Sequence, residues 1–328
     1  MLRFGIIGTN WITDDFVDAA KRSEDITLTA VYSRKEETGR AFADKHGIAR
    51  AYDDLERFAA SDEFDAVYIA SPNSLHAEQA ILCMNRGKHA LCEKPLASNA
   101  REVRRMTEAA KANGVLLMEA MKSTFTPTFL AIRDNLSKIG TVRRYFGSYC
   151  QYSSRYDRYK LGELPNAFNP AFSNGALMDL GVYCIYPLVV LFGAPDKVQA
   201  SARLLDSGAD GAGSLLLGYG EMDAVIHYSK IVDSHSSAEI QGENGTIVFD
   251  KISRPDKAHI RYRDGSVEEL TRPQEDNAMV YEVREFADLI RSGKRESELN
   301  SFANSLAVME VMDAARRQTG LVYPAGEK

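Results

Sequence analysis

Cysteine and histidine are scarce in this chain of 328 residues, and there is no net positive charge. Its four cysteines form no Cys-x-x-Cys pair and stand near no histidine cluster, so we expect neither a metal site nor a disulfide framework. We expect reduced thiols of a cytoplasmic protein at Cys83, Cys92, Cys150 and Cys184. The formal net charge of -6 argues against a dedicated nucleic-acid binder, since phosphate binding needs a basic face, so we expect no nucleic-acid partner.

Long apolar runs are also missing from the sequence. The N-terminal residues lack the apolar core of a signal peptide and enter a predicted strand at once. No segment approaches the ~20 apolar residues of a membrane helix. We therefore expect no membrane partner.

Residues 1–122 show a regular alternation of apolar runs and helical patterns. Repeated β-α units with short connections predict a parallel sheet with right-handed crossovers, so we assign the fold class α/β and interpret this part as a dinucleotide-binding Rossmann domain. The predicted strands are 2–7, 26–32, 66–70, 89–92 and 115–119, and the predicted helices include 35–46, 75–86 and 101–113.

Residues 123–328 are predicted to form a second, α+β domain on a large, mostly antiparallel open sheet, for substrate binding and oligomerisation. Strand patterns occupy 142–152, 198–205, 213–219, 224–231, 237–241, 246–249 and 259–263, with hairpin signals at 242–245 and 264–265. Helical patterns follow at 175–191, 279–292 and 301–319.

A glycine turn lies between the first predicted strand and the first helix. Such a turn aims helix N–H groups at a pyrophosphate, and the candidate cofactor-binding residues here are Gly8, Thr9, Asn10, Trp11 and Ile12. Asn10 and Thr13 stand where the usual motif has its second and third small residues. Because asparagine tolerates positive φ better than most residues, the turn can survive. The alternative is a plain tight β-α turn.

Ser33-Arg34 ends the second predicted strand, where an NAD enzyme would present a carboxylate to the ribose. An arginine suits the additional 2′-phosphate of NADP, so the sequence favours NADP over NAD. A solvated loop arginine is the alternative.

Two further motifs follow strands of the first domain. Ser71-Pro72-Asn73 precedes a helix whose first turn carries His76, which is either cofactor-facing or structural. Glu93-Lys94-Pro95 follows the strand at 89–92, and Pro95 disfavours helical geometry at Lys94. Lys94 either points into the cofactor crevice or is a surface lysine before a turn.

In the second domain, Asp179 and Tyr183 are four residues apart on one predicted helix and so share a face. A tyrosine can act as an acid or base when a cation favours its ionised form. A buried, hydrogen-bonded structural tyrosine is the alternative reading of Tyr183.

Together these motifs resemble the family named after glucose-fructose oxidoreductase, inositol dehydrogenase and MocA (Gfo/Idh/MocA). The resemblance covers essentially the whole chain, and it rests on the order and separation of the Ser71, Glu93 and 175–183 blocks. It implies a Rossmann domain followed by an α/β domain with a large open sheet.

In having a tyrosine at position 183, the chain resembles the dihydrodiol dehydrogenase and NADP-dependent D-xylose 1-dehydrogenase branch of the family. The inositol dehydrogenase branch has His at this point. The resemblance implies Lys94 and Tyr183 as the catalytic pair, with Asp179 in support. Besides the glycine turn, one departure concerns Thr124, which stands where many members carry Arg, a charge that Lys122 could supply.

The function implied is hydride transfer between NADP and a secondary alcohol of a sugar, polyol or diol. The alternatives are NAD-assisted glycoside cleavage and a non-catalytic NAD(P)-binding sensor or scaffold. We expect substrate recognition from the loop 152–172 and a homodimer or higher homo-oligomer formed through the open sheet. Stacking and hydrogen-bonding groups for a sugar-like ligand are offered by Tyr152, Arg155, Tyr156, Arg158 and Phe168.

Overall fold

The computed structural model describes residues 1–24 and 26–326. The chain divides into two compact units, Met1–Lys122 with Glu275–Phe302, and Ser123–Gln274 with Ala303–Lys328. The chain thus leaves the first unit after residue 122 and later returns to it. The predicted boundaries 1–122 and 123–328 do not include that return.

The first unit contains a six-stranded parallel sheet, which confirms the predicted Rossmann-type architecture. The strand order is β3-β2-β1-β4-β5-β6, with β1 (Leu2–Ile7), β2 (Ile26–Tyr32), β3 (Arg50–Tyr52), β4 (Ala66–Ile69), β5 (His89–Glu93) and β6 (Leu117–Ala120). The helices between them are α1 (Trp11–Lys21), α2 (Glu36–His46), α3 (Leu55–Ala59), α4 (His76–Asn85) and α5 (Ala100–Asn113). Neither β3 nor α3 was predicted from the sequence, because such short elements show no hydrophobic period.

The second unit contains an eight-stranded sheet, in which only β7 and β10 pair in parallel among the described residues. Its order is β14-β13-β12-β11-β7-β10-β9-β8, which confirms the mostly antiparallel prediction. The strands are β7 (Val142–Cys150), β8 (Lys197–Leu204), β9 (Asp210–Tyr219), β10 (Met222–Ser229), β11 (Ala238–Gly242), β12 (Gly245–Phe249), β13 (Ala258–Tyr262) and β14 (Val267–Glu269). The remaining α-helices of the described residues are α6 (Pro127–Asp134), α7 (Tyr156–Lys160), α8 (Val182–Phe192), α9 (Met279–Arg291) and α10 (Phe302–Thr319).

Helix α9 is the part of the chain that returns to the first unit. Its Phe286 ring lies 5.6 Å from the Phe4 ring of β1, and both side chains are fully buried. Asn277, just before α9, donates a hydrogen bond of 2.8 Å to the carbonyl of Asp15 in α1. These contacts explain why Glu275–Phe302 belongs with the parallel sheet.

The prediction that no segment is long and apolar enough for a membrane helix is wrong by length and composition. Pro170–Phe192 is a helical stretch of 23 residues that meets both criteria. However, 78% of its apolar window is buried inside the structure, as expected of a core helix. Polar residues such as Asn174 and Asp179 interrupt the stretch, which is why it was not recognised in the sequence.

Candidate active site

The predicted cofactor residues lie at one edge of the parallel sheet. The strand order reverses between β1 and β4, and doubly wound sheets bind ligands outside the carboxyl ends of the strands at such a point. Gly8 follows β1, Ser33 and Arg34 follow β2, Ser71 lies just beyond β4, and Lys94 follows β5. The structure therefore brings together the first-unit motifs that the sequence singled out.

Gly8 is the residue around which the first turn closes. Its φ is +108°, and a Cβ built there would lie 2.6 Å from the Ala70 carbonyl oxygen. Only glycine therefore fits between the end of β1 and the residue that follows β4. The result is a close backbone approach at the start of α1, the arrangement that phosphate-binding turns use.

Asn10 supports the same turn, although not in the predicted way. Its φ is -92°, so the expected use of positive φ at this position is wrong. Instead Asn10 caps α1: its side-chain oxygen accepts from the Ile12 N–H at 3.0 Å, and its amide donates to the Ala70 carbonyl at 2.8 Å. Trp11, at the first helical position, is 62% exposed.

Arg34 is exposed at the carboxyl end of β2. The neighbouring Ser33 is half-buried, and its N–H donates to the Tyr52 carbonyl of β3 at 3.0 Å. The backbone that carries Arg34 is therefore anchored to the sheet, while the guanidinium group remains accessible to an anionic ligand.

His76 is fully buried at the start of α4, and both of its ring nitrogens contact backbone carbonyls. Nδ1 lies 3.0 Å from the Pro95 oxygen, and Nε2 lies 2.9 Å from the Ser71 oxygen. Burial lowers the pKa of His76, and the two carbonyl contacts oppose that change. The ring thus fastens the loop after β4 to the loop after β5, with Pro72 and Asn73 in the first of these.

Lys94 is half-buried, and two buried carboxyl groups, those of Glu93 and Glu119, hold the backbone around it. Its backbone N–H donates to Glu93 Oε2 at 3.3 Å, and the Leu96 N–H donates to Glu119 Oε1 at 2.9 Å. Glu93 also accepts a hydrogen bond of 2.6 Å from the Tyr68 hydroxyl. Burial raises the pKa of Glu93, and the positive charge of Lys94 opposes this rise.

Glu282 of α9 is a further buried carboxyl group whose charge interacts with that of Glu93, and it was not predicted from the sequence. Neither of its oxygens has a hydrogen-bond partner within the described part of the chain. Burial, and then the charge of Glu93, raises the pKa of Glu282 well above its ordinary value, while Lys122 opposes the rise. The sequence did contain a sign of this burial, because Glu282 shares the apolar helix face of Met279, Val283 and Phe286.

In the second unit, Asp179 lies on a π-helical turn, Leu177–Gly181, that runs directly into α8. The Val182 N–H donates to the Leu177 carbonyl five residues back, so this part is wider than the plain helix predicted there. Such turns are frequent at functional sites. Asp210 holds the start of the turn by accepting from the Leu177 N–H at 2.7 Å.

Tyr183 follows the π-helical turn and is buried. Its ring meets the Tyr149 ring of β7 edge to face, with centroids 5.7 Å apart. Asp179 is paired with Lys230, whose Nζ lies 2.8 Å from Asp179 Oδ2. Lys230 was not among the residues predicted from the sequence, although strand alternation places it on the same face as Ile226 and Tyr228.

The loop 152–172 contains a cluster of aromatic side chains. Tyr156 and Tyr159 lie on α7 with ring centroids 6.0 Å apart, and both contact the buried Phe168, at 5.6 and 5.3 Å. Tyr152 lies 5.5 Å from Tyr156 and donates to Asp157 at 2.7 Å. These rings pack on one another, whereas Arg155 and Arg158 are exposed.

Comparison with known proteins agrees with these two units. Residues 2–121 match the model of an oxidoreductase family with an NAD-binding Rossmann fold, and residues 135–248 match the GFO/IDH/MocA C-terminal domain. A scyllo-inositol 2-dehydrogenase (NADP(+)) of Bacillus subtilis (strain 168) is 58% identical over 327 residues, covering 100% of both chains. A trans-1,2-dihydrobenzene-1,2-diol dehydrogenase of Mus musculus is 30% identical, covering 100% of this chain and 99% of the other.

A solved structure shows the same fold over nearly the whole chain. It is a 3-ketoreductase from Actinomadura kijaniata in complex with NADP and TDP-benzene, 25% identical, with a TM-score of 0.85. The match covers 97% of this chain and 98% of the other. Family models that span most of both units and full-length relatives at 30% identity and above agree with the resemblance seen in the sequence motifs. The chain is an oxidoreductase of the Gfo/Idh/MocA family.

Proposed function

We propose that this oxidoreductase transfers a hydride between NADP and a secondary alcohol of a cyclic polyol or a related sugar. The observation that carries the proposal is the 58% identity, over the full length of both chains, to an NADP-dependent scyllo-inositol dehydrogenase. The relative named for a cyclic diol extends the same chemistry, a ring carbon that bears a hydroxyl group, to 30% identity.

The first-unit residues fit a dinucleotide. Gly8 allows the close backbone approach, Asn10 fixes the start of α1, and the exposed Arg34 offers a positive charge for a 2′-phosphate. We assign contacts with the cofactor to the residues of these loops, namely Gly8, Thr9, Asn10, Trp11, Ile12, Ser33, Arg34, Ser71, Pro72, Asn73, Glu93 and Lys94. For His76 we revise the expectation to a supporting role, because both ring nitrogens contact backbone carbonyls.

The cofactor preference is tested at Arg34. A charge-assisted contact contributes about 1.5–3 kcal/mol, so Arg34→Ala should weaken NADP binding about tenfold or more and leave NAD binding nearly unchanged. The matched control is Lys35→Ala, which removes the adjacent exposed cation. Equal affinity of the parent protein for NADP and NAD, measured by calorimetry, would contradict this assignment.

We assign proton transfer to Tyr183, charge stabilisation of its phenolate to Lys94, and support to Asp179. NADP, when bound, supplies the carbon that accepts the hydride. As the hydride leaves the carbinol carbon, the hydroxyl proton passes to Tyr183 and a ketone results. Free tyrosine, with a pKa of ~10, is a poor base at neutral pH, and a cation favours its ionised form.

The catalytic assignment is tested with scyllo-inositol and NADP+, following NADPH absorbance. Tyr183→Phe should lower kcat by roughly 10²–10⁴-fold, and Lys94→Met should also lose turnover. The double variant should lose less than the two losses multiplied, because groups that act together are not additive. Tyr262→Phe on β13 is the matched control. Near-normal turnover by Tyr183→Phe would refute the assignment.

We further propose a cytoplasmic homodimer or higher homo-oligomer formed through the open face of the large sheet. Leu216, Val225 and Phe146 lie side by side on neighbouring strands β9, β10 and β7, and all three are partly or largely exposed. An apolar row of this kind favours association. Light scattering at micromolar concentration tests it, and a monomer would contradict it. The four free thiols support a reducing compartment.

A further inference from the structure

Lys230 lies just after β10, and its side chain contacts both the π-helical turn and the loop 152–172. Its side chain is 4% exposed. The Nζ atom donates to Asp179 Oδ2 at 2.8 Å and to the Ala167 carbonyl at 3.2 Å, and it lies 5.3 Å from the centre of the Phe168 ring. A buried ammonium group with a carboxylate, a carbonyl and an aromatic face around it has few alternative positions.

The backbone of Lys230 is tied into the same structure. Its N–H donates to the Gly211 carbonyl of β9 at 2.8 Å, and its carbonyl accepts from the Ser153 N–H at 2.9 Å. Ser153 is at the beginning of the loop 152–172, and Ala167 is near its end. One residue therefore holds both ends of this loop and also the carboxylate on the π-helical turn.

We propose that Lys230 is a positioning residue that fixes Asp179 for the reaction and holds the loop 152–172 in register with it. This inference rests on the proposed function for its catalytic part. Asp179 is 37% exposed and can contact a ligand, whereas Lys230 is too deeply buried to do so. Lys230 therefore acts through Asp179 and the loop rather than on the substrate.

The pair is asymmetric, which gives a specific expectation. Loss of Asp179 leaves a buried cation without its carboxylate, whereas loss of Lys230 leaves a carboxylate that water can still reach. Asp179→Asn should therefore lower the melting temperature more than Lys230→Met does. The double variant should have a higher melting temperature than Asp179→Asn alone, because it also removes the buried Lys230 cation that has lost its carboxylate.

The catalytic part is tested by a double-mutant cycle on scyllo-inositol oxidation. Lys230→Met should lower kcat about tenfold or more with NADP affinity unchanged, but only about threefold or less when Asp179→Asn is already present. Lys230→Arg should recover most of the activity, and the exposed Lys197→Met on β8 is the matched control. Equal losses in both backgrounds would mean a general structural role and would overturn the proposal.

The loop part is tested without substrate, by limited trypsin digestion and mass spectrometry. The loop carries three exposed cleavage sites, Arg155, Arg158 and Lys160. Cleavage there should be faster in Lys230→Met than in Lys197→Met, because Ala167 loses its donor. Equal rates would overturn this part, and Lys230→Gln serves if the methionine variant does not fold.

Failure of the proposed function can be told apart from failure of the Lys230 proposal. A parent protein that turns over no polyol refutes the proposed function, while the melting temperatures and the digestion rates still decide the role of Lys230.

Discussion

Asp210 makes the stability of the second unit dependent on pH. It is fully buried, and one of its oxygens accepts the Leu177 N–H at the start of the π-helical turn. Burial raises its pKa from 3.8 to about 6, while hydrogen bonding to Leu177 opposes the rise. The close approach is built in, because a side chain on Gly175 would collide with this carboxyl group.

The sign follows from the two states of Asp210. The folded protein keeps the proton up to a pH of about 6, whereas the unfolded chain releases it near 3.8. Below the pKa of the unfolded chain both states hold the proton, so the carboxyl group costs no stability. As the pH rises from there toward the pKa of the folded protein, stability is lost. A shift of about two pKa units, at 1.36 kcal/mol each, gives a loss of about 3 kcal/mol by neutral pH.

The substitution Asp210→Asn removes this titration while keeping an oxygen for the Leu177 N–H. The stability of the variant relative to the parent should therefore rise by about 2 kcal/mol from pH 4 to pH 7, whatever its value at pH 4. Urea unfolding at a series of pH values measures this difference. The exposed Asp206→Asn is the matched control and should give a curve parallel to the parent. A constant difference between Asp210→Asn and the parent across this range would refute the reasoning.

Two other substitutions test the first unit. Gly8→Ala places a Cβ 2.6 Å from the Ala70 carbonyl oxygen and should weaken NADP binding at least tenfold by calorimetry. The control Gly87→Ala also has positive φ but meets no atom within 4 Å, so it should bind NADP normally, and equal losses would contradict the collision. Glu282→Leu removes a buried carboxyl group that has no hydrogen-bond partner among the described residues, and it should stabilise the protein by about 1–3 kcal/mol at pH 8. Because burial raises the pKa of Glu282, the gain in stability should shrink toward pH 4 in thermal unfolding. Equal melting temperatures of Glu282→Leu and the parent protein at pH 8 would contradict this prediction.

Periodicity predicted most of the fold because most strands of both sheets carry buried residues on at least one face. The parallel strands read as continuous apolar runs, and those of the large sheet alternate, as in β12. Periodicity could not predict the π-helical turn, which depends on where Asp210 anchors Leu177 from another element. Contacts between distant residues are not encoded in a local pattern.

The candidate site was predicted in part for the same reason. Motifs at strand ends singled out Gly8, Arg34 and Lys94, and the structure places all three at the predicted edge of the sheet, because the position of a strand end follows from the strand itself. Lys230 and Glu282 were missed, although each is a charged residue on an otherwise apolar face. Tyr183 indicated an alcohol oxidoreductase without identifying the substrate, since a proton-transfer group carries no information about the ring that bears the hydroxyl.

The return of α9 to the parallel sheet bears on the order of events during synthesis. Asn277 and Asp15 are hydrogen-bonded although they are 262 residues apart in the chain, and the Phe4 ring packs against Phe286. The cofactor-binding unit therefore cannot complete its core on the ribosome until most of the polypeptide has emerged. A gene fragment that ends at residue 122 would leave Phe4 of β1 without the Phe286 ring of α9. To use the nucleotide-binding unit alone in a fusion protein, residues 275–302 must therefore be joined to residues 1–122 by a new linker.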